Sequence, residues 1–387
     1  MKQGNTFTFI DLFAGIGGMR KGFEAAGGKC VFTSERDIHA QTTYRANFPD
    51  DTHQITGDIT VIPSEEIPCH DVLVAGFPCQ PFSLAGLAAR KRSGKVSGFS
   101  CPSQGSLFFE IVRILKFHRP KAFLLENVKN LMSHDRGRTG RIILQTLDED
   151  LGYSVQMCLL NARFWVPQNR ERIFIAGFRE ETGFSFGPVM THSSRTSPNL
   201  RDILHPEDGS EGAEEPYTEG KKAKVSDRYT LTDSLWMSFQ KHRKKQRAKG
   251  NGFGFCLRHP EDIAPTLPAH YAQGGSEILI PQNGKNPRRL TPRECSRLMG
   301  FDHPGESKFL IPVSDTQAYR QFGNAVVVPL VHAIAEQMAP WISPASTQGL
   351  FSPPQENQPF SGERGDPSQP MHRLHHIQLK GNTDEPF

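Results

Sequence analysis

The cysteine in the tetrapeptide Phe77-Pro78-Cys79-Gln80 is the side chain of this sequence best placed for chemistry. It follows an apolar run at 71–76 that is typical of a buried parallel strand, and open α/β sheets carry their chemistry at the carboxyl ends of such strands. Pro78 fixes one backbone angle and helps to aim the thiol. The thiol could be a nucleophile, but a lone cysteine is more often an inert core residue. Other motifs must therefore decide between these two roles.

A carboxylate and two arginines could share a site with this thiol. Glu126 follows the apolar run 121–125, whose end we expect near Cys79, and partial burial would raise the pKa of Glu126 and make it a proton donor. Arg170 and Arg172 alternate, so a strand would point both to one face, where they could orient the carboxylate or bind a phosphate. Taken alone, the acid could be structural and the arginines an ordinary charged strand edge.

A glycine turn at 14–18 lies between the first predicted strand and the first predicted helix. Gly15, Gly17 and Gly18 would let a ligand approach the backbone and use the amides at the helix N-terminus. Met19-Arg20 occupies the place where the dinucleotide fingerprint needs a third spaced glycine, which argues against a nicotinamide oxidoreductase. The structural alternative is a tight strand-to-helix turn.

Two acids at predicted strand ends favour a nucleoside ligand. Glu35 ends the second strand, about 20 residues beyond the glycine turn, where a carboxylate commonly holds ribose hydroxyls. Asp58 ends a predicted third strand, where it could accept a hydrogen bond from an adenine amino group. Either acid could instead be a solvated helix N-cap.

Composition narrows the class of protein. The 387 residues suggest two domains or one domain with an extension, and we find no signal peptide and no apolar run long enough to cross a bilayer. The seven cysteines form no C-x-x-C pair and no metal-spaced set with the 15 histidines. We therefore predict no metal site, no disulfide framework and a reducing cytoplasm. The net charge of +4 is too small to establish a nucleic-acid partner.

The alternation of apolar patterns predicts an α/β protein with a doubly wound, mostly parallel sheet. Strands are predicted at 6–13, 30–34, 72–75, 121–125, 156–160 and 172–178. Helices are predicted at 19–26, 37–47, 107–117, 140–150, 291–299, 317–322 and 326–338. The strand at 172–178 should pair with 156–160 or with a neighbour in a hairpin, and Thr291 with Glu294 should form a capping box.

Changes in composition also divide the chain into domains. Residues 1–186, completed by 316–342, form the predicted catalytic and cofactor-binding domain. Residues 187–295 form a second, smaller domain that is irregular and β-rich, and 296–315 form a hinge. Residues 343–387 are rich in Pro, Gln, Ser and His, which predicts a disordered tail.

Taken together, the motifs form an ordered set. They read Asp-Leu-Phe-Ala-Gly-x-Gly-Gly, Gly-Phe-Pro-Cys-Gln-Pro-Phe-Ser, Glu-Asn-Val, Gln-x-Arg-x-Arg, Arg-Leu-Thr-Pro-Arg-Glu-Cys-x-Arg-Leu-Met-Gly-Phe and Gln-Phe-Gly-Asn-x-Val. Over residues 6–340 this set resembles the DNA cytosine-C5 methyltransferases. Segments 250–255, 275–280 and 312–319 are similar to the bacterial Dcm-type branch in particular.

The resemblance implies a mechanism and roles for four residues. The Cys79 thiolate adds to C6 of a cytosine, Glu126 hydrogen-bonds N3, and Arg172, with Arg170 nearby, holds the base or Glu126. C5 then takes the methyl group of S-adenosylmethionine, loses its proton, and Cys79 is eliminated. Because this chemistry is impossible in a stacked duplex, the cytosine must be flipped out.

The resemblance also implies a set of cofactor contacts. Phe13 packs on the adenine, Glu35 takes the ribose, Asp58 takes the adenine amine, and Asn324 reaches the cofactor from the returning C-terminal segment. The full cofactor set matched by position is Phe13, Gly15, Ile16, Gly17, Gly18, Glu35, Arg36, Asp58, Ile59, Pro78, Leu107 and Asn324.

The implied partner is double-stranded DNA, with residues 187–295 as the target-recognition domain. The predicted DNA contacts are Gln80, Ser83, Lys241, Arg243, Lys244 and Thr266. The basic run 241–249 could instead be a solvated helix face. Residues 84–104 resemble the loop that closes on DNA, but they could instead be an ordinary surface loop. Pro268 and His270 stand where the Dcm-type branch has Ser and Arg, so both CCWGG and GGNNCC-type sites stay open.

The wider expectations follow from the same resemblance. We expect a monomer in the bacterial cytoplasm, associated with the nucleoid, with a restriction endonuclease or mismatch-repair nuclease that acts on the same site. Two positions depart from the family pattern: Arg36 replaces a tryptophan beside the ribose-binding acid, and Ala325 replaces a serine. The competing functions are a tRNA cytosine-C5 methyltransferase and a non-catalytic DNA-binding relative.

Overall fold

The structure of the protein is a computed structural model. It describes residues 7–78, 107–191, 198–252, 254–303 and 305–343. Cys79, Gln80 and Ser83, the predicted loop 84–104, and the predicted tail beyond Ser343 lie outside the described residues.

Thirteen strands and nine helices are described in these ranges. The strands are β1 Phe7–Leu12, β2 Gly28–Ser34, β3 Ile55–Thr56, β4 Val72–Gly76, β5 Ala122–Val128, β6 Ser154–Asn161, β7 Gln168–Asn169, β8 Glu171–Phe178, β9 Thr218–Glu219, β10 Lys224–Val225, β11 Ala264–Pro265, β12 Leu279–Gln282 and β13 Lys285–Arg289. The helices are α1 Gly18–Ala25, α2 Ile38–Asn47, α3 Leu107–His118, α4 Arg138–Gln145, α5 Gly187–Met190, α6 Asp233–Ala248, α7 Pro292–Leu298, α8 Asp315–Asn324 and α9 Val328–Ile342.

The central sheet has seven strands in the order β3-β2-β1-β4-β5-β8-β6. Strands β3, β2, β1, β4 and β5 pair in parallel, whereas β8 runs antiparallel to both β5 and β6. The predicted α/β class with a mostly parallel sheet is confirmed, as is the pairing of 156–160 with 172–178.

Helices cover both faces of this sheet because its inner strands are apolar on both sides. On one face Phe9, Val74 and Leu124 belong to a cluster with residues of α1 and α9. On the other face Leu73 and Leu125 pack with residues of α3. The sheet is therefore buried, and its carboxyl-terminal edge is left to the loops.

The region after β8 combines short strands with one long helix, α6. Its strands form the two-stranded pairs β9–β10 and β12–β13, and β11 pairs in parallel with β7 of the first region. Tyr271, Ile278 and Leu290 lie in the same hydrophobic cluster as residues of α1 and α9. The smaller region therefore shares a continuous core with the large sheet.

Helix α7 begins as the sequence predicts. Thr291 Oγ1 accepts a hydrogen bond from Glu294 N at 3.1 Å, and Glu294 Oε2 accepts one from Thr291 N at 2.8 Å. The same carboxylate makes a buried ion pair with Arg288 at 2.8 Å. The predicted capping box is confirmed, and the ion pair compensates the burial of its acid.

One stretch, Asp315–Ile342, has the length and apolarity of a membrane span, so the expectation that no apolar run of this length exists was wrong. In the fold it comprises two helices, α8 and α9, and α9 packs against α1. A Cβ atom built on Gly22 of α1 would lie 2.6 Å from a methyl carbon of Val331 in α9. This close contact makes α9 a core helix of the described structure.

Candidate active site

Four strands of the sheet end at the same edge and deliver the predicted site residues there. The glycine turn follows β1, Glu35 follows β2, Phe77 follows β4, and Glu126 lies near the end of β5. Parallel strands direct their carboxyl ends to one edge, so motifs that are far apart in the sequence meet.

The carboxyl of Glu126 lies beside the strand that leads to Cys79. Gly76 pairs with Glu126 across β4 and β5, and a Cβ atom built on Gly76 would lie 3.6 Å from Glu126 Oε2. Asn127 Nδ2 donates to Phe77 O at 2.9 Å and so fixes the backbone two residues before Cys79. Glu126 is therefore held beside the end of β4, the strand that precedes Cys79 in the sequence.

Arg172 is the ionic partner of Glu126. Arg172 Nε lies 3.1 Å from Glu126 Oε1, and both side chains are largely buried. Arg172 stands opposite Val128 on the neighbouring antiparallel strand, a diagonal position from which a long side chain reaches Glu126. Burial raises the pKa of Glu126, and the charge of Arg172 opposes that rise. The pair provides a buried carboxyl that holds a proton more readily than an exposed one.

Arg170 does not share this carboxylate in the way predicted from the alternating arginines. The strand is interrupted at Arg170, between β7 and β8, so the two arginines do not lie on one continuous strand. Its guanidinium donates instead to backbone oxygens of Leu267, at 3.0 Å, and of Gly323 and Ala325, both at 2.8 Å. The two arginines thus have different hydrogen-bond partners: Arg172 forms the ion pair with Glu126, whereas Arg170 acts on that carboxyl through its charge.

A cleft opens next to Arg172. Its volume is about 530 Å³, and its lining residues are Val128, Lys129, Asn130, Asn169, Glu171, Arg172, Pro265 and Thr266. Thr266 Oγ1 donates to Asn169 O at 2.8 Å, so the smaller region forms one wall of the cleft and the large sheet the other. The volume of the cleft is sufficient for a planar base ring beside Arg172.

The glycine turn has the backbone shape that its sequence predicts. Phe13 and Gly15 both have φ near +56°, and Gly17 has φ of 85°. Nothing lies within 4 Å of the position that a Cβ atom of Gly15 would occupy, whereas at Gly17 it would meet the ring of Phe48. The turn therefore presents open space at Gly15 and close packing at Gly17, where only glycine fits.

Glu35 is bound to that turn. Its Oε2 accepts a hydrogen bond from Gly15 N and its Oε1 one from Asp37 N, both at 2.7 Å. The predicted ribose-binding acid therefore lies directly beside the open face of Gly15.

Asp58 has a different setting from the one predicted. Strand β3 ends at Thr56, and Asp58 is the N-cap of a short 3-10 helix, with Oδ1 accepting from Thr60 N at 3.0 Å. Its Oδ2 lies 3.7 Å from Arg36 Nη1. The helix-cap alternative is correct for Oδ1, and Oδ2 remains directed towards the exposed guanidinium of Arg36.

The remaining predicted cofactor residues divide by burial. Ile16, Gly18 and Ile59 are buried, Leu107 is half-buried at the start of α3, and Pro78 and Asn324 are exposed. A Cβ atom built on Gly18 would lie 2.8 Å from a methyl carbon of Val326. The returning segment therefore packs on the first turn of α1, two residues from Asn324.

The basic run lies on α6. Lys241 and Lys244 are exposed, whereas the guanidinium of Arg243 lies 4.4 Å from the ring centroid of Phe255. A Cβ atom built on Gly254 would lie 2.7 Å from Arg243 Cβ, so this arginine packs tightly on the neighbouring loop. Arg243 therefore anchors α6 through a cation–π contact, and the two lysines face solvent.

Three further residues, to which the sequence analysis assigned no role, lie at or near the site. Asn127 holds Phe77, Gln168 binds the backbone of Leu267, and Asp11 is fully buried near the glycine turn. Burial raises the pKa of Asp11 to about 8, with Arg20 acting in the opposite direction. The sequence signal for Asp11 was a polar residue inside an apolar strand. For Asn127 the signal was its position directly after Glu126, and for Gln168 its position two residues before Arg170.

Comparison with known proteins identifies the family. A family model described as C-5 cytosine-specific DNA methylase matches residues 7–340. The chain is 46% identical to the DNA-cytosine methyltransferase of Escherichia coli strain K12 over 385 residues, covering 88% of this chain and 79% of that protein. It is 48% identical to the type II methyltransferase M1.ScrFI of Lactococcus lactis subsp. cremoris over 336 residues, covering 86% of this chain and 78% of that one.

Solved structures agree in fold. The crystal structure of the S. pombe Dnmt2 methyltransferase superposes with a TM-score of 0.62 at 18% identity, covering 87% of this chain and 99% of that one. At this identity the likeness shows the fold alone. The match to the family model and the identity to the relatives are decisive for function: the chain belongs to the C-5 cytosine-specific DNA methylase family and is a DNA (cytosine-5-)-methyltransferase.

Proposed function

We propose that this protein methylates C5 of a flipped-out cytosine within a specific double-stranded DNA site, through a covalent bond between Cys79 and C6 of the base. The observation that carries the proposal is the buried Glu126–Arg172 pair, 3.1 Å apart beside the strand that leads to Cys79. A buried carboxyl whose pKa is raised, beside the strand that leads to a thiol, suits the addition of a thiolate to a pyrimidine.

The chain's own residues account for the steps on the base. The Cys79 thiolate forms a bond to C6 while Glu126 donates a hydrogen bond to N3, where negative charge develops. C5 thereby becomes nucleophilic and accepts a methyl group. Loss of the C5 proton and breaking of the Cys79–C6 bond then restore the aromatic ring and the free thiol.

Family membership implies S-adenosylmethionine as the methyl donor. When bound, it supplies an electrophilic methyl group. The residues around the glycine turn fit it, because the space at Gly15 is open and the carboxylate of Glu35 lies beside it. We propose Phe13, Glu35 and Asp58 as the main contacts, with Arg36 in the place where relatives have an aromatic ring.

We propose the smaller region, 187–295, as the part that recognises the DNA site. Thr266 lies in the wall of the cleft and the exposed Lys241 and Lys244 are placed to meet phosphates, which position DNA without specifying its sequence. His270 Nε2 lies 3.1 Å from Glu277 Oε1, a pair with the chemistry to read a G·C base edge. The target is a CCWGG or a GGNNCC-type site.

The names of the relatives support a proposal about the cellular setting. Several are named as type II methyltransferases, the modification enzymes of restriction systems. We propose that this protein acts as a monomer on nucleoid DNA in the bacterial cytoplasm, beside a nuclease that acts on the same site.

Bisulfite sequencing of DNA from cells that express the chain tests the proposal directly. We expect protected cytosines at a single short motif, absent from cells that express Cys79→Ser. Methyl transfer to tRNA but not to duplex DNA would replace the proposal with the tRNA alternative.

A further inference from the structure

Arg170 is a buried cation whose described hydrogen-bond partners are backbone oxygens. It is 2% exposed and donates to Leu267, Gly323 and Ala325. These carbonyls come from two segments far from β8 in the sequence, residues 264–270 and the end of α8. Burying a guanidinium is costly, so the three carbonyls must stay in place around it.

Gln168 also binds segment 264–270, and it joins that segment to the end of α7. Its Oε1 accepts a hydrogen bond from Leu267 N at 2.9 Å, and its Nε2 donates to Leu298 O at 3.3 Å. Leu267 is therefore held at both its N–H and its carbonyl by residues that flank Asn169. This double hold fixes the position of segment 264–270 along the sheet.

Gly323, near the end of α8, packs directly against the backbone of segment 264–270. A Cβ atom built on it would lie 2.5 Å from the carbonyl of Pro268 and from Ala269 N. Segment 264–270 thus packs backbone against backbone on the end of α8, with no room for a side chain. We call Gln168, Arg170, Leu267 and Gly323 the junction.

The junction lies between two functional surfaces. On one side Pro265 and Thr266 line the cleft. On the other side Arg170 stands two residues before Arg172, which bonds Glu126. A shift of segment 264–270 would remove the Leu267 carbonyl from a buried cation and so displace the start of β8.

We infer that Arg170 is a positioning residue through which segment 264–270, when seated on the correct DNA sequence, holds Arg172 and Glu126 in their working geometry. The inference rests on the proposed function, and it makes a specific statement about it: discrimination between DNA sites is expressed partly in the rate of methyl transfer and not only in binding. A salt-bridge role for Arg170 at Glu126 would give no such link.

The test uses full-length Arg170→Lys and Gly323→Ala, with Gly212→Ala as the matched control, because a Cβ atom there meets nothing within 4 Å. Single-turnover methyl transfer is measured on the best duplex site and on duplexes with one base pair changed. We expect the ratio of rates on correct and altered sites to fall about 5- to 150-fold in the first two variants, the range of ordinary coupling between sites.

Equal losses on all duplexes, or an unchanged ratio, would overturn the inference. Thermal unfolding of the variants shows whether either of them fails to fold. If one does, a measurement on the unmodified protein tests the inference. There, hydrogen exchange should show residues 264–270 and 170–174 protected together on the correct duplex but not on an altered one. Protection of 264–270 alone overturns the inference. An unmodified protein that methylates no duplex at all would refute the proposed function itself, which separates the two failures.

Discussion

Glu126 Oε1 lies 3.1 Å from Arg172 Nε across the antiparallel pair β5–β8, and both side chains are largely buried. Arg172 compensates part of the cost of burying an acid, yet burial still raises the pKa of Glu126. The acid therefore keeps a proton at a higher pH than an exposed glutamate does. This is the property that a donor to N3 of cytosine needs.

Replacing Glu126 should reduce the rate of methyl transfer and leave DNA binding unchanged. We expect Glu126→Gln to lower single-turnover methyl transfer about 10²- to 10³-fold, as for the loss of one group that stabilises developing charge. The matched control is Glu149→Gln, an exposed acid of the turn after α4. A variant within a few-fold of the unmodified rate would contradict the role of Glu126.

The cysteine makes the most direct prediction. Cys79→Ser should abolish methylation while most of the DNA affinity remains, because an alcohol is a far weaker nucleophile than a thiolate. Duplex DNA that contains 5-fluorocytosine should trap the unmodified protein covalently on a denaturing gel. The exposed Cys69 supplies the control, since Cys69→Ser should still be trapped. Methylation by Cys79→Ser at a near-normal rate would refute the covalent mechanism.

Arg36 gives a prediction about the cofactor. Its guanidinium is exposed and lies 3.7 Å from Asp58, an ion pair of little energetic weight. Arg36→Trp should tighten binding of S-adenosylmethionine about 2- to 10-fold, because aromatic stacking contributes roughly 0.5–1.5 kcal/mol. Calorimetric titration measures this, with Arg45→Trp on the exposed face of α2 as the control. An unchanged dissociation constant would show that no ring is needed at this position.

Asp11 makes the stability of the fold depend on pH. Burial raises its pKa from 3.8 to about 8. The native state therefore holds a proton that the unfolded state has lost, so the free energy of unfolding should fall as pH rises from about 4 to about 8. Asp11→Asn cannot ionise and should flatten this dependence in urea unfolding, whereas Asp150→Asn at an exposed position should not. Parallel curves for Asp11→Asn and the unmodified protein would exclude Asp11 as the titrating group.

Much of the site follows from local patterns in the sequence. The apolar strands, the glycine turn after β1, Glu35 after β2 and Glu126 near the end of β5 lie where periodicity and strand ends predict them. The capping box of Thr291 and Glu294 is likewise predicted by a local pattern, because it involves residues three positions apart. Such features depend on backbone preferences and short-range hydrogen bonds, which the order of residues specifies directly.

Other features depend on packing between distant segments. Alternation predicted that Arg170 and Arg172 would share a face, but the strand breaks at Arg170, whose partners Leu267 and Gly323 lie 97 and 153 positions away. Asp58 caps a 3-10 helix because β3 ends early, and Asn127 reaches Phe77 only because β4 and β5 are neighbours.

The sequence by itself therefore determined the class of fold, the polar residues at the strand ends and the family. The tertiary structure decided which buried polar groups meet: Arg172 with Glu126, and Arg170 with the backbone of the returning segments. The physical reason is that a buried charge must find partners wherever the packed chain offers them, and those partners are set by the whole fold and not by spacing along the chain.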